Sequence, residues 1–298
     1  MTTALLTQLG RIRSAGAGGG SGSGKLRALR KNRLAMTGGI IAAVFVLAAL
    51  FAPLVAPYDP ARPDFANALA APGWSHWLGT DDLGRDQLSR VVYGARASMQ
   101  VGVVAVALAF IVGVPLGLLA GYYGKFTDSV VSRLTDTMLA FPFLVLAVGL
   151  AAVLGPSLTN ATIAIGISQI PAVIRITRAE TLRLRHVDYV AAAVANGGGD
   201  ATVLFRHILP NATSALTVQA TVGIPAAIIG EALLSFLGLG VQPPEASLGV
   251  MLSGAQSFLA PAPWMAVFPG LAVVAATLAF NLLGDGLRDV LDPRGATR

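Results

Sequence analysis

Residues 188–211 have the sequence DYVAAAVANGGGDATVLFRHILPN, a polar segment in a chain made mostly of long apolar runs. Three consecutive glycines follow Asn196 in this segment, which we call the island. Glycine tolerates the backbone angles of a tight turn and costs about 1 kcal/mol inside a helix. The sequence therefore predicts two short helices separated at 196–199, with a second break at Pro210. The first helix is rich in alanine, and its small side chains would let another protein surface approach closely.

The composition predicts a membrane protein. Of the 298 residues, 54% are hydrophobic and only 12% are charged, and the mean hydropathy is +0.69, which is outside the range of ordinary soluble domains. The net charge of +6 by itself would be compatible with nucleic-acid binding. The sequence has no basic patch interleaved with aromatic residues, however, so no nucleic-acid partner is expected. Basic loops between membrane spans explain the charge.

The residue inventory predicts no cofactor and no metal held by this chain. Cysteine is absent, which excludes disulfides and thiolate metal sites. The three histidines, His76, His186 and His207, lack the spacing of metal ligands. Residues 19–25, GGSGSGK, have the glycine and lysine spacing of a phosphate-binding loop, but Leu26 stands where Ser or Thr would bind magnesium. We interpret that stretch as a linker.

Six apolar stretches predict six transmembrane helices and an all-α polytopic membrane protein. About twenty residues, rising 1.5 Å each, cross a hydrocarbon core of about 30 Å. On the second stretch, Gly113, Gly117 and Gly121 recur every four residues, which would let a neighbouring helix pack closely. Pro142 interrupts the third stretch. The predicted spans are residues 36–55, 97–120, 130–154, 159–176, 212–237 and a last span that begins at Trp264.

The distribution of Lys and Arg predicts the orientation, because cytoplasmic loops carry the basic excess. Basic residues fall on the N-terminal tail, the 124–133 loop, the island and the C-terminus, whereas residues 155–160 and 242–263 contain none. Both termini are therefore predicted to be cytoplasmic. The predicted organisation is a flexible basic cytoplasmic tail at 1–35, a first transmembrane helix at 36–57, an extracytoplasmic loop at 58–96, and a five-helix core at 97–293 with the island in a cytoplasmic loop at 186–211.

The loop before the second span contains residues 76–86, HWLGTDDLGRD. Its glycines and acidic run resemble a calcium-binding loop at first sight, but the alternating oxygen ligands and the closing Glu of an EF-hand are missing. We expect a structural role, in which the carboxylates and Arg85 tie together a turn outside the membrane.

Three strings in the chain resemble those of one transport family. The island resembles the EAA motif of permease subunits of bacterial ABC importers: EAA, three residues, Gly, nine residues, then I-x-L-P. Two positions depart from the motif, since Ala191 replaces its Glu and His207 replaces its Ile. Residues 76–86 and 230–244, GEALLSFLGLGVQPP, resemble strings of the second permease subunit of dipeptide and oligopeptide importers. The matching positions of the EAA motif are Ala192, Ala193, Gly197, Leu209 and Pro210.

This resemblance implies the fold and the partners. The fold would be that of a type I ABC importer permease, in the cytoplasmic (inner) membrane of a bacterium. The chain would be a non-catalytic subunit that forms a heterodimer with a second permease, while ATP and magnesium are bound by two partner ATPase subunits or domains. An extracytoplasmic binding protein would deliver the substrate. The substrates implied are di- or oligopeptides, although nickel, glutathione and haem importers have nearly the same strings.

The resemblance also assigns roles to residues. The island would fit a groove on one ATPase, so that ATP-driven closure moves the membrane helices and alternates access to a central cavity. The residues expected to couple the chain to the ATPase are Asp188, Tyr189, Ala192, Ala193, Gly197, Leu209 and Pro210.

Polar residues near the predicted spans are candidates for the transport pathway. Arg133 and Asp136 are three residues apart, which predicts an ion pair on one face of the third span. A carboxylate at the depth of Glu231 is costly unless it is paired or faces water, so it either lines the pathway or makes a structural bond between helices. Its string recurs in importers of different substrates, which favours structure. The candidates are Asp136, Gln219, Glu231 and Asn281.

Two other function classes are weighed against a permease subunit. An intramembrane enzyme would need a Ser-His or Asp-Asp pair at one depth, and the sequence offers neither this nor a GxSxG nucleophile motif. A stand-alone secondary transporter usually has internal repeats and interrupted helices with charges at the midplane. No convincing repeat is present, and such a carrier would not need the island. A transport assay on the chain alone separates these classes, because a permease subunit by itself should transport nothing.

Overall fold

The computed structural model describes residues 32–291 and is helical. The predicted basic tail, apart from its last four residues, and the GGSGSGK stretch lie outside the described residues. A 3-10 turn at Phe65–Asn67 and a six-residue π-helical segment at Val203–Ile208 accompany the α-helices. In chain order the helices are α1 Arg33–Leu50, α2 Ala52–Val55, α3 Gln87–Tyr123, α4 Lys125–Leu139, α5 Phe143–Leu154, α6 Leu158–Leu184, α7 Asp188–Ala195, α8 Asp200–Thr202, α9 Leu209–Phe236, α10 Leu248–Ala255 and α11 Trp264–Leu291.

Most of the predicted spans are helices that are long and apolar enough to cross a membrane. Four segments meet this requirement among residues 32–291: α1, α3, the continuous run from α8 to the end of α9, and α11. The pair α4 and α5 meets it as a fifth, with a bend of 88° at the break that contains Pro142. The expectation of an all-α polytopic membrane protein is therefore confirmed.

Helix α6 occupies the position of the remaining predicted span. It has 27 residues, enough to cross a bilayer, but it is not among the helices that are also apolar enough. Several of its polar side chains lie inside the bundle: Thr177 and Thr181 are fully buried, and their hydroxyls donate to carbonyls of the same helix at 2.8 and 2.7 Å. A helix that faces protein rather than lipid does not need a continuously apolar surface.

Helix α3 is longer than the predicted second span. It has 37 residues and would extend about 55 Å, well beyond the hydrocarbon core. It begins at Gln87, ten residues before the predicted span, because the side chain of Asp86 caps it by accepting from the Ser89 amide at 2.8 Å. The second half of the predicted 58–96 loop therefore ends in helix rather than in irregular backbone.

The three glycines of α3 form a close seam with α6. A Cβ atom added at Gly117 would lie 2.6 Å from Cβ of Thr177 and 2.8 Å from the carbonyl oxygen of Ile174. A Cβ added at Gly121 would lie 2.6 Å from Cβ of Thr181. The two helix backbones thus approach more closely than any side chain at these positions would allow, as the spacing of the glycines predicted.

The segment before α3, which the sequence predicts to be extracytoplasmic, is tied together by side chains. One carboxylate oxygen of Asp81 accepts from the amides of Leu83 and Arg85 at 3.0 and 2.9 Å, and the other accepts from Nε of Arg85 at 2.7 Å. The indole of Trp264, at the start of α11, donates to the carbonyl of Thr80 at 3.0 Å. The segment is a folded cap on the bundle, with the carboxylate and Arg85 in the structural role expected.

Candidate functional site

The island begins and ends close to the predicted limits. Helix α7 runs from Asp188 to Ala195, and Gly197 follows with φ of +78°, a left-handed angle that favours glycine. The chain resumes in α8 and passes through the π-helical segment into α9 without a break. The predicted break at Pro210 is therefore wrong. Pro210 is the second residue of α9 and follows the π-helical segment directly.

The inward face of the island is anchored in the bundle. Val190 of α7 is buried together with Val203, Leu204 and Ile208 of the π-helical segment. This cluster includes Leu118 of α3 as well as residues of α6 and α9. The island is thus packed on α3, α6 and α9. A displacement of α7 would be transmitted to all three helices.

The outward face of α7 is exposed and built from small side chains. Ala191, Ala192 and Ala195 are exposed, and Tyr189 stands beside them with its ring partly exposed. The absence of bulky groups leaves a shallow surface on which a partner could lie against the helix backbone. Of the residues predicted to couple the chain to an ATPase, Asp188, Tyr189, Ala192, Gly197 and Pro210 are exposed, and Ala193 and Leu209 are half-buried.

Two apolar side chains on the island were missed by sequence reasoning. Val194 and Phe205 are exposed, although both belong to residue types that are normally buried in contact with a core. Val194 lies four residues after buried Val190, which would have placed it on the same inward face. It is exposed because α7 ends one residue later, beyond the cover of the bundle. They add apolar surface to the exposed side of the island.

A carboxylate joins the second half of the island to α3. The hydroxyls of Tyr122 and Tyr123, the last two residues of α3, donate to the two oxygens of Asp200 at 3.0 and 2.9 Å. Asp200 is the first residue of α8. A third tie comes from Arg185, whose Nη1 donates to the carbonyl of Gly121 at 2.9 Å. These contacts hold the C-terminal end of α3 to both sides of α7.

Two ion pairs join α4 to α6 next to the island. Asp128 accepts from Nε of Arg178 and, at 2.8 Å, from Nη2 of the same residue. Asp136 accepts from Nη2 of Arg175 at 3.0 Å. The predicted pair between Arg133 and Asp136 is therefore wrong. The carboxylate of Asp136 faces the neighbouring helix α6, and a contact between helices cannot be recognised from spacing within one helix.

The polar residues predicted within the spans do not come together at one site. Glu231 is fully buried in α9 and accepts from the hydroxyls of Ser98 at 2.6 Å and Ser235 at 2.8 Å. Gln219 lies twelve residues earlier on the same helix, about 18 Å away along its axis, and is half-buried. Asp136 and Asn281 are exposed. Four such scattered positions do not define a binding site within this chain.

A further buried polar residue was not anticipated. Gln169 of α6 is buried, and its Nε2 donates to the carbonyl of Gly223 in α9 at 3.2 Å. Glycine at 223 allows this, since a Cβ there would lie 2.8 Å from Oε1 of Gln169. Within residues 32–291, no cluster of His, Cys, Asp and Glu has the arrangement needed to hold a metal ion.

Comparison with known families covers most of the chain. Residues 113–296 match the family described as binding-protein-dependent transport system inner membrane component. Residues 25–72 match the N-terminal transmembrane domain of oligopeptide transport permease C. The two matches together include the first helix, the last part of α3 and everything from there through the island to α11.

Individual relatives are similar over nearly their whole length. The chain is 48% identical to the dipeptide transport system permease protein DppC of Alkalihalophilus pseudofirmus, over 90% of this chain and 88% of the relative. It is 44% identical to DppC of Haemophilus influenzae, over 89% and 92%. It is 41% identical to the glutathione transport system permease protein GsiD of Pectobacterium atrosepticum, over 90% and 89%.

A solved structure shows the same fold. A chain of the MetNI methionine ABC transporter, solved in inward-facing conformations, superimposes with a TM-score of 0.54 over 70% of this chain and 97% of that chain, at 20% identity. The expected fold of an ABC importer permease is thereby confirmed. By sequence and by fold, the chain belongs to the family of binding-protein-dependent transport system inner membrane components.

Proposed function

We propose that this chain is one of two permease subunits of an ATP-driven peptide importer in the inner membrane of a bacterium. The single observation that carries this proposal is the island: an exposed, alanine-rich helix whose opposite face is packed on three membrane helices. The chain supplies no catalysis of its own. A second permease completes the pathway, two ATPase subunits supply the energy, and an extracytoplasmic binding protein delivers substrate.

The outward face of α7 is the proposed docking surface for an ATPase. Small side chains at Ala191 and Ala192 let a groove on the partner reach the helix backbone, while Val194 and Phe205 offer apolar contacts at its edge. Family members with Glu at the position of Ala191 would have a polar contact here. In this chain, apolar contact and shape take its place, so docking should depend little on salt concentration.

Movement of the docked ATPase would reach the membrane helices by two routes. One is the packing of Val190 against Leu118 and the neighbouring cluster. The other is Asp200, which receives both tyrosine hydroxyls at the end of α3. Closure of the ATPases on ATP would thus displace α3 and α6 and alternate the access of the cavity between the two permeases.

The substrate proposed is a short peptide. Relatives named as dipeptide permeases, at 44% and 48% identity, support this choice. Glutathione, itself a small peptide, is the second candidate, because a glutathione permease is 41% identical over a similar length. The permease offers few fixed polar groups of its own, so selection among peptides would lie largely with the binding protein.

The coupling role is tested by substitution on the exposed face. The tagged chain is co-purified with its partners in mild detergent, and ATPase activity and peptide uptake are measured after reconstitution. We expect Ala192→Trp to abolish uptake and to weaken recovery of the ATPases, because the indole would occupy the docking surface. Ala192 is a cleaner site than Ala193, which is half-buried and whose carbonyl accepts from the Gly198 amide at 3.0 Å.

The matched control is Ala260→Trp, which adds the same indole to an exposed alanine in the extracytoplasmic loop. It should leave peptide uptake and recovery of the ATPases unchanged. Full uptake in Ala192→Trp, or recovery of the unsubstituted chain without any ATPase, would refute the proposed coupling. Competition between labelled dipeptide and glutathione for uptake by the same preparation separates the two candidate substrates.

A further inference from the structure

The extracytoplasmic segment 65–80, FANALAAPGWSHWLGT, contains no Asp, Glu, Lys or Arg. Charged residues stand immediately outside it, at Asp64, Asp81 and Asp82. Such a gap of sixteen residues is unusual for a loop that faces water, where charged side chains are normally frequent. Its composition is that of a surface removed from bulk water.

Two tryptophans project from this segment into the surroundings. The side chain of Trp74 is 97% exposed and that of Trp77 is 68% exposed, and Phe65 is exposed as well. Pro72 and Gly73 line the depression between the two indoles. Within residues 32–291, neither indole N–H has a hydrogen-bond partner, whereas that of Trp264 donates to Thr80. A tryptophan has a large apolar ring and one donor, and both normally find a partner.

The exposure is not a consequence of a loose loop. The hydroxyl of Tyr58 donates to the carbonyl of Ser75 at 2.8 Å, and its ring packs on His76 with 4.9 Å between ring centroids. His76 is in turn bonded through Nδ1 to Asp86 at 2.9 Å. The residues between the two tryptophans are therefore fixed, and the indoles are held outward by the fold.

The position of the segment indicates what covers the indoles. Tyr58 follows closely on α2, where an exposed apolar strip along α1 and α2 ends. That strip consists of Val44, Leu47, Leu50 and Leu54, the last of them 82% exposed. A strip of this kind on a membrane span faces hydrocarbon chains. Through Tyr58, the two tryptophans are attached at the level where that lipid-facing strip stops.

We propose that Trp74 and Trp77, with Phe65, form an anchor seated in the headgroup layer of the outer leaflet of the membrane. Tryptophan is enriched at this level because its ring is apolar and its N–H can bond to headgroups or water. The lack of charge over sixteen residues suits the same environment. The occupant is the lipid surface rather than a protein, because the indoles continue the lipid-facing strip of the first span. The proposal depends on the topology and not on the substrate or the ATPase.

Quenching by brominated lipids tests this contact directly. The assembled complex is placed in nanodiscs whose lipids carry bromine either near the top or near the end of the acyl chains. Tryptophan emission of the complex is compared with that of a complex carrying Trp74→Phe and Trp77→Phe, and the difference belongs to these two residues. We expect the emission of Trp74 and Trp77, obtained as this difference, to be quenched by both brominated lipids. Quenching should be stronger when the bromine lies near the top of the acyl chain.

Trp264→Phe supplies the matched control, because Trp264 is half-buried and bonded to protein. Its difference emission should be quenched less than that of the pair. No loss of the pair's emission with either brominated lipid would overturn the proposal. A loss or shift that occurs only when the loaded binding protein is added would also overturn it and would assign the surface to that protein.

A second measurement does not depend on fluorescence. The chain has no cysteine, so a single cysteine at Trp77→Cys can carry a nitroxide label. We expect the label to collide more often with membrane-soluble oxygen than with a water-soluble paramagnetic complex. The reverse order would contradict a position in the membrane. Normal uptake by the labelled complex establishes that the protein is folded.

Discussion

The hydroxyl of Ser98 on α3 donates a 2.6 Å hydrogen bond to the carboxylate of Glu231 on α9, 133 residues away in the sequence. The second oxygen of Glu231 accepts from Ser235, whose own hydroxyl oxygen accepts from the Val241 amide at 3.1 Å. A fully buried carboxylate thus joins two membrane helices to the loop that follows α9. This geometry is that of a structural link.

We predict that Glu231→Ala destabilises the complex by about 2–6 kcal/mol, because it leaves two buried donors without a partner, each at a cost of about 1–3 kcal/mol. Glu231→Gln should cost less, since the amide oxygen keeps one acceptor. The measurement is the apparent melting temperature in detergent, followed by uptake. A Glu231→Gln complex that melts normally but transports nothing would favour a role in the pathway instead.

The contact between Asp200 and the two tyrosines should govern coupling. Asp200→Asn replaces one acceptor oxygen by an amide group, so that only one of the two tyrosine hydroxyls can still donate to residue 200. We expect less peptide transported per ATP hydrolysed, with the ATPases still bound, because docking occurs on α7. Tyr122→Phe combined with Tyr123→Phe should have the same effect. Asp285→Asn, an exposed acid on α11, is the matched control. If both variants transport as much peptide per ATP hydrolysed as the unsubstituted chain does, this role is contradicted.

The seam between α3 and α6 should not tolerate a side chain. Gly117→Val would place Cβ 2.8 Å from the carbonyl oxygen of Ile174, which is backbone and cannot rotate away. We expect destabilisation of about 1–3 kcal/mol, as for other overpacked sites, and a lower melting temperature. Gly149→Ala on α5 is the control, because nothing lies within 4 Å of its added Cβ. An equal effect at both positions would show that loss of glycine, not the seam, is responsible.

The two ion pairs between α4 and α6 should differ in strength. Arg175 and Asp136 are exposed, with 62% and 68% of their side chains accessible, whereas Arg178 and Asp128 are at 33% and 22%. Exposed pairs contribute about 0–1 kcal/mol. Asp136→Asn should therefore leave the melting temperature nearly unchanged, and Asp128→Asn should lower it, because Arg178 loses the carboxylate charge and one of its two hydrogen bonds. A larger fall in melting temperature for Asp136→Asn than for Asp128→Asn would contradict this account.

Hydropathy and glycine spacing were sufficient to predict much of the fold. The apolar stretches identify the membrane helices because lipid demands apolar surface, and Gly113, Gly117 and Gly121 identify the seam because close packing demands small residues. The early start of α3 was missed because it depends on a single capping residue, Asp86. The 88° bend at Pro142 has a signal in the sequence, but its size is determined by packing.

The candidate site was predictable only in part. The island and its glycine turn follow from local residue preferences, which act within a few positions. The contacts that connect the island to the bundle join residues far apart in sequence, as Tyr122 and Asp200 do across 78 positions. Nothing local distinguishes their side chains from other exposed ones. For the same reason, spacing within one helix paired Asp136 with Arg133, when its partner lies on another helix.

The seam of glycines also determines how far a push on the island can travel. Two helices whose backbones are in contact along several turns resist bending more than a single helix does. We therefore expect α3 and α6 to move together as one rigid unit. The island is fastened to the C-terminal ends of both helices, through Asp200 on one side and Leu184 on the other. A displacement of the island would therefore not be taken up by bending of either helix alone. We expect it to tilt α3 and α6 together, so that their N-terminal ends move as well.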